Sequence, residues 1–271
     1  MSASKQLMVP HRKSPSWKAS LLAGLALVLS ACGPSPPWRV RELVPSPVPP
    51  QKEEAWQRCV ERLEEAGGGR PERPTPADPT NFGERQPKDV YGRRVPHTPQ
   101  LIVLHETVVS EADTLRLFRT PHPNDADQVS YHLLITPEGE RLRLVPDGQR
   151  AYGAGMSAWG DMSVRIRPTS VGSINNVALH LGLVSPPDGR GESSGHSGYT
   201  PAQYEAAAAQ VLLWQARWGI PLNRLTTHAA VDRSRSRYDP RSFRWDLFDQ
   251  AWKAAATRCG FTAYDTGLAA P

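Results

Sequence analysis

The sequence predicts an α/β protein in which helices flank a central mixed β-sheet, as one domain over residues 98–259. Two observations support this class. Residues 101–104 form an apolar run with the length of a buried strand. Strand-like and helix-like segments then alternate up to Cys259, and two of the helix-like segments begin with recognisable start signals.

Three further strands follow the first one. Residues 141–145 alternate leucines with arginines, which is the pattern of a half-buried strand, and a turn at residues 137–140 pairs them with a strand at 129–135. Residues 177–184 form another apolar run. Together these segments supply the strands of the predicted sheet.

The predicted helices have clear ends. Ser110 opens a capping box ahead of a short helix. Thr200 and Pro201 begin a longer helix that stops at Gly219. A last helix follows Asp246, where apolar residues recur at helical spacing.

The start of the chain is typical of an export signal. A basic segment precedes thirteen mostly apolar residues, 19–31, which are too few to span a bilayer. Residues 29–32 resemble a bacterial lipobox, so residues 1–31 are predicted as a lipoprotein signal peptide and Cys32 as the acylated residue. The alternative is a short aliphatic segment with one chance cysteine. Gly33, rather than an aspartate, favours the outer over the inner membrane.

The net charge gives no support for a nucleic-acid partner. The chain carries 32 basic and 27 acidic residues, a net charge of +5. Four basic residues and no acidic one precede Cys32, so 32 minus 4 leaves 28 basic against 27 acidic residues. The remaining chain therefore has almost no basic excess with which to attract phosphate.

The segment before the domain is rich in proline. Residues 32–97 are predicted as an extended tether with one amphipathic helix at about residues 51–66, and residues 260–271 as a tail. Cys59 and Cys259 flank the predicted domain in a compartment that permits disulfides. They form either a bridge between its two ends or two free thiols, because spacing alone does not decide between these.

Three side chains are candidates for a metal site. His105 ends the first buried strand, His228 follows the longest helix, and Asp239 comes eleven residues later. Two imidazoles and one carboxylate would give the three-ligand shell, with one open position, of a catalytic zinc ion. The alternative for each single histidine is a surface or core role. No phosphate-binding glycine loop is present in the sequence.

Several segments together resemble the zinc-dependent N-acetylmuramoyl-L-alanine amidases, a family that includes phage-lysozyme-like amidases and peptidoglycan-recognition proteins. The similar segments are residues 101–107, 129–135, 151–155, 175–179, 227–228 and 239–240. The resemblance implies a central sheet flanked by helices and one Zn²⁺ held by His105, His228 and Asp239. It also implies hydrolysis of the amide between N-acetylmuramic acid and L-alanine, in peptidoglycan or its muropeptide fragments.

The sequence departs from the family pattern at the expected catalytic positions. His180 stands where many members have a glutamate base, and a histidine can accept a proton near neutral pH. Arg237 replaces a lysine and can stabilise an oxyanion. Tyr131 is either a hydroxyl near that oxyanion or a core tyrosine. Tyr152 and Gly153 replace a frequent Trp-His pair that contacts substrate.

The resemblance predicts a lipid-anchored zinc amidase of the cell wall. Because of these departures, the alternative is a peptidoglycan-binding module that retains the groove without turnover. A third possibility is hydrolysis of another amide, since function depends on the site rather than on the fold. The sequence makes no prediction of oligomeric state.

Overall fold

The computed structural model describes residues 58–59, 61–63, 71–191 and 193–259, with the backbone alone at Leu222. All of them belong to one unit of the chain, Pro36–Pro271. The predicted signal peptide, its lipidation residue Cys32, most of the tether and the tail at 260–271 lie outside the described residues.

A six-stranded mixed sheet forms the centre of the fold, in the order β1-β5-β4-β7-β3-β8. Its pairs are parallel except for β4 with β5, and β2 pairs with β6 in a separate antiparallel ribbon. The strands are β1 Arg73–Pro74, β2 Phe82–Glu84, β3 Leu101–Glu106, β4 Leu133–Ile135, β5 Arg141–Arg143, β6 Gln149–Ala151, β7 Ala178–Leu183 and β8 Leu225–Thr227.

The strands β3 and β7 are buried at every residue. Strands in the middle of a parallel sheet are covered on both faces, which explains why their sequences are apolar runs rather than alternating patterns. His105 and His180 are therefore exceptions, because they are fully buried polar residues in these two strands. Buried polar groups need partners, so these two positions are where a functional site is sought.

Four α-helices have both ends within the described residues: α1 Glu111–Arg119, α2 Pro201–Trp218, α3 His228–Val231 and α4 Trp245–Arg258. The capping box at the start of α2 is complete, and Gly219 ends the helix with a φ of 64°. This left-handed conformation is the one that glycine adopts at least cost.

Alternate residues of the central strands face two different sides. Leu104 and Leu181 pack in one cluster with α2 and α4, including Trp214 and Trp252. Leu101 and Val103 belong to a second cluster, which contains no residue of α2 or α4. The odd-numbered residues of β3 therefore face away from the two long helices, and His105 is one of them.

The predicted tether is shorter than residues 32–97. In the stretch from residue 71 onward, β1 pairs with β5 and β2 with β6. Asn81 and Arg85 are also buried in the domain. Proline is tolerated in an edge strand such as β1, because no ladder hydrogen bond is lost there. The many prolines of this segment therefore hid two short strands from the sequence analysis.

The predicted fold class is confirmed, with small differences in element boundaries. The strand expected at residues 129–135 is confined to β4. In the segment before it, Ser130 N donates to Tyr152 O outside the six-stranded sheet, whereas His132 N still donates to His180 O in β7. The last helix begins two residues earlier than predicted, at Trp245.

A disulfide joins Cys59 to Cys259, with 4.6 Å between the two Cα atoms. The open choice between a bridge and two free thiols is therefore resolved in favour of the bridge. The described part of the predicted amphipathic segment, residues 58–59 and 61–63, is helical. Among the helices described, none combines the length and the apolar character needed to cross a bilayer.

Candidate active site

The three predicted ligands converge in space. His105 lies near the carboxyl end of β3, and His228 begins α3 directly after the neighbouring parallel strand β8. Asp239 follows in the next loop, whose position is fixed by a hydrogen bond from Ala229 N to Asp239 O at 3.0 Å. One ligand atom from each of the three residues lies within 4.8 Å of the others.

The carboxylate of Asp239 lies between the two imidazoles. Its Oδ2 is 3.2 Å from His105 Nδ1, and its Oδ1 is 3.0 Å from His228 Nδ1. The two imidazoles therefore direct one nitrogen each, and Asp239 directs its two carboxylate oxygens, toward a common point. All three residues are buried.

A chain of hydrogen bonds determines which nitrogen of His105 carries its proton. The amide of Asn175 is oriented by Ala154, because Nδ2 donates to Ala154 O at 2.8 Å and Oδ1 accepts from Ala154 N at 3.0 Å. His180 Nε2 lies 3.0 Å from the same Oδ1 and must donate to it. His180 Nδ1 is then an acceptor, 2.9 Å from His105 Nε2.

This arrangement places the proton of neutral His105 on Nε2 and leaves a lone pair on Nδ1. Nδ1 is buried and makes no hydrogen bond. Burial also lowers the pKa of His105 to about 4, so the ring is neutral at neutral pH. A buried lone pair aimed at a second imidazole and a carboxylate fits a divalent metal of the zinc type.

The position of His180 differs from that expected of a general base. Its ring is fully buried, both ring nitrogens have partners within the protein, and it is not among the residues that line the cavity. Burial also holds its pKa well below the usual value. His180 lies behind His105, on the side opposite the common point.

Two of the departures from the family pattern are sterically linked. A Cβ atom on Gly153 would overlap the ring of His180. A glycine at 153 therefore creates the space that a histidine at 180 occupies. Glycine has a second such role at Gly182, where a Cβ would overlap the ring of Tyr131.

Tyr131 and Arg237 are both beside the ligands. The ring of Tyr131 stacks on His105 with 4.4 Å between centroids. Burial, reinforced by the charge of Asp239, raises the pKa of Tyr131, so its hydroxyl remains protonated at neutral pH. Arg237 is exposed and lines the same cavity, which has a volume of about 690 Å³.

Sequence reasoning missed a buried ion pair next to the ligands. Glu106 is buried, and its Oε1 lies 2.6 Å from Arg241 Nε. Arg241 N also donates to this oxygen at 3.2 Å. Because Arg241 is two residues after Asp239, the pair ties the end of β3 to the loop that carries the carboxylate.

The fold and this buried His-His-Asp set define a class of α/β proteins with a site that could bind a metal beside an open cavity. The model of the N-acetylmuramoyl-L-alanine amidase family matches residues 95–242, more than half of the chain. The chain therefore belongs to the N-acetylmuramoyl-L-alanine amidase family and is an enzyme of that activity. The resemblance drawn from the sequence is confirmed.

Several solved structures are similar to this chain. A selenomethionine derivative of AmpD has 23% identity and a TM-score of 0.48, over 66% of this chain and 93% of that one. AmiD from E. coli, in complex with anhydro-N-acetylmuramic acid-L-Ala-D-γ-Glu-L-Lys, has 21% identity and a TM-score of 0.45, over 63% and 65%. AmpDh3 from Pseudomonas aeruginosa, in complex with anhydromuramic pentapeptide, has 19% identity and a TM-score of 0.42, over 60% and 65%. A comparison with curated proteins found no match.

Proposed function

We propose that this amidase is zinc-dependent, with His105, His228 and Asp239 as the protein ligands. The observation that supports this most directly is the approach of their ligand atoms to within 4.8 Å, with a buried Nδ1 of His105 left unbonded. Two imidazoles and one carboxylate leave a fourth position open for substrate or water.

A bound zinc ion would supply a Lewis acid for the scissile carbonyl and an activated water. The chain contributes the groups around it. Tyr131, which stays protonated, presents a hydrogen-bond donor, and Arg237 presents a permanent positive charge to the oxyanion that develops on the carbonyl. Burial beneath the cavity lowers the pKa of His105, so its ring is neutral and can bind a metal ion.

His180 has a positioning role in this proposal instead of the base role expected from the sequence. Its Nδ1 accepts the Nε2 proton of His105 and so presents the other nitrogen to the metal. Hydrogen bonds of this kind orient ligand imidazoles and increase their basicity. Asn175 supports His180 in turn.

The substrate in this proposal is peptidoglycan or a muropeptide, whose amide between N-acetylmuramic acid and L-alanine is cleaved in the cavity. The open cavity beside the three ligands has room for such a chain. We further propose that the enzyme is exported and anchored through acylated Cys32, facing the periplasm at the outer membrane or at the cell surface. Mass spectrometry of the mature N-terminus and of a Cys32→Ser variant tests the anchor, and an unmodified Cys32 would exclude it.

The test of function couples metal analysis to product identification on a defined muropeptide. We expect about one zinc per chain, release of a stem peptide with a free L-alanine amino group, and loss of both in His105→Ala. His97→Ala is the matched control, because His97 is an exposed histidine. Cleavage that persists in His105→Ala and in the presence of a chelator would refute the proposal.

The alternative of a binding module without turnover is distinguished in the same samples. Binding to isolated peptidoglycan sacculi is measured beside amide cleavage. Binding with no cleavage by the zinc-loaded wild-type protein would select the alternative.

A further inference from the structure

A single carboxylate organises the loop that carries Arg237. Asp232 lies directly after α3, where its own N–H donates to His228 O at 2.9 Å. Its Oδ1 accepts from Ser234 N at 2.9 Å, and its Oδ2 accepts from Ser236 N at 2.8 Å and from Arg237 N at 3.0 Å. The hydroxyl of Ser234 also donates to Oδ1, at 2.6 Å. Four donors of the loop therefore converge on one side chain.

These four hydrogen bonds are the main support of the loop. Among the residues that the structure describes, every hydrogen bond of residues 234–237 ends on Asp232, apart from one between two of their own hydroxyls. Residues 233–238 are all exposed. Arg235 has a φ of 61°, a left-handed conformation that is costly for a residue with a Cβ atom. Such a conformation persists only where surrounding contacts fix it, and here Asp232 provides them.

Asp232 is itself held in place on both sides. Backbone hydrogen bonds of 2.9 Å join its neighbours Val231 and Arg233 to residues 156–158, and Asp232 lies in an isolated antiparallel bridge between these bonds. Burial raises the pKa of Asp232, but the hydrogen bonds that the loop donates to it outweigh this effect and lower the pKa to about 2. The side chain is therefore a carboxylate at neutral pH, with a fixed position.

The loop connects this carboxylate to the candidate active site. Asp232 is not among the residues that line the cavity, whereas Ser236, Arg237 and Asp239 are. The charge of Arg237 acts on the site, because it lowers the pKa of His105 in addition to the larger effect of burial. A long, exposed arginine side chain has many conformations, so its action on the site depends on where its backbone is held.

We propose that Asp232 is a positioning residue for amide cleavage, which acts by holding the backbone of Arg237 at the cavity. The inference rests on the proposed function, in which Arg237 stabilises the developing oxyanion. An interaction that is made only in the transition state raises kcat and leaves KM unchanged. A displacement of about 1 Å can cost about 100-fold in rate, so the loss of this support reduces kcat.

The kinetic test is a double-mutant cycle with the intact zinc-loaded protein and a defined muropeptide. Asp232→Asn preserves the shape of the side chain but replaces one acceptor oxygen by an NH₂ group, which cannot accept. We expect kcat to fall about tenfold, with KM unchanged within about twofold. In an Arg237→Gln background, Asp232→Asn should cause no further loss of kcat, because the group that it positions is already absent.

Asp89→Asn is the matched control. Asp89 accepts from the backbone N–H groups of Tyr91 and Arg93, which follow it by two and four residues, as Ser234 and Ser236 follow Asp232. Asp89 does not line the cavity. This variant should keep the kcat of the wild type, whereas a general effect of losing such a bond would lower kcat in both variants.

Hydrogen exchange in the metal-free protein tests the contact without turnover. The amide of Arg237 should be protected in the wild type and should exchange about tenfold faster in Asp232→Asn. If Asp232→Asn does not fold, exchange in the wild type decides the question: a protected Arg237 amide supports the inference and an unprotected one overturns it.

Three other results would overturn the inference. One is equal kcat in the wild type and in Asp232→Asn, and another is an equal exchange rate of the Arg237 amide in these two proteins. The third is a full further loss of kcat when Asp232→Asn is added to Arg237→Gln. A wild-type protein that cleaves no muropeptide would refute the proposed function instead, and the exchange rates would still show whether Asp232 holds Arg237.

Discussion

The side-chain amide of Asn175 determines which ring nitrogen of His105 carries the proton, although it acts through His180 and does not contact His105. Ala154 fixes the orientation of Asn175, which sets the tautomer of His180 and through it that of His105. A metal ligand needs a free lone pair on the correct nitrogen. These hydrogen bonds leave that lone pair on His105 Nδ1 before any metal binds.

We therefore expect His180→Leu to weaken zinc binding by about 10- to 100-fold, the range seen when partners of ligand histidines are removed. A competition titration with a zinc chelator measures the affinity, and nitrogen NMR shifts report the tautomer of His105 in the metal-free protein. His180→Gln is the matched control, because its amide oxygen can accept the same proton. Equal zinc affinity in wild type and His180→Leu, both folded, would contradict this role.

The convergence of His105, His228 and Asp239 was predictable, but the surroundings of His180 were not. His105 lies near the end of β3 and His228 directly follows β8, and these two parallel strands are neighbours, so their ends lie at one edge of the sheet. Asp239 was chosen from its spacing to His228 and from the family resemblance. The partners of the His180 ring depend on how Asn175 and Gly153 pack around it, which no spacing in the sequence specifies.

At the scale of elements, the end of β3 is tied to the loop after α3 by a buried ion pair. Glu106 is further bonded by His196 and by Tyr199 through its Oε2, at 3.1 and 3.2 Å. Its bond also raises the pKa of Arg241. The position of the Asp239 carboxylate thus depends on a contact that lies outside the candidate metal site.

Glu106→Gln should lower the free energy of unfolding by about 3–5 kcal/mol, because it leaves Arg241 buried without its counter-charge. Urea denaturation of both proteins measures the difference. Asp113→Asn removes an exposed pair with Arg116, which solvent screens, and should therefore cost far less stability than Glu106→Gln. Similar small losses in the two variants would show that the buried pair contributes little.

The longer elements were recognised in the sequence and the shortest were not. The capping box and terminal glycine predicted α2 because these signals are local. The two-residue β1 has no periodicity of its own, and its pairing with β5 depends on contacts about seventy positions away. Tertiary contacts of that kind leave no local pattern.

At the scale of the whole molecule, one disulfide connects positions 200 residues apart in the sequence. Chain-entropy arguments assign a loop of this size about 5 kcal/mol of stabilisation, acting on the unfolded state. The Cys59→Ser, Cys259→Ser double variant should lose stability up to that amount in urea denaturation. Reductant should lower the stability of the wild type and leave the double variant unchanged. Equal stability of the two proteins without reductant would contradict the expectation.

The buried histidines also make stability depend on pH. Burial lowers the folded-state pKa of His105 to about 4, and that of His132 and His180 well below the usual value. The unfolded chain binds their protons near pH 6.5, whereas the folded chain does not. The contribution of these histidines to the free energy of unfolding is therefore fully present above pH 6.5, and it decreases as the pH drops toward 4.

For His105 alone, this loss amounts to roughly 2 kcal/mol between pH 7 and pH 5 in the metal-free protein. Denaturation curves at pH 7 and pH 5 should show the decrease, and His97→Gln should show the same decrease because His97 is exposed. A metal-free protein with equal stability at both values would mean that these rings titrate normally when folded.

The close approach of Gly153 to the ring of His180 has a consequence for the redesign of this enzyme. We expect the two positions to be coupled, because any side chain at 153 would collide with the imidazole at 180 in its present position. A larger residue can therefore be introduced at 153 only after His180 has been replaced, because the His180 ring occupies the space that the new side chain needs.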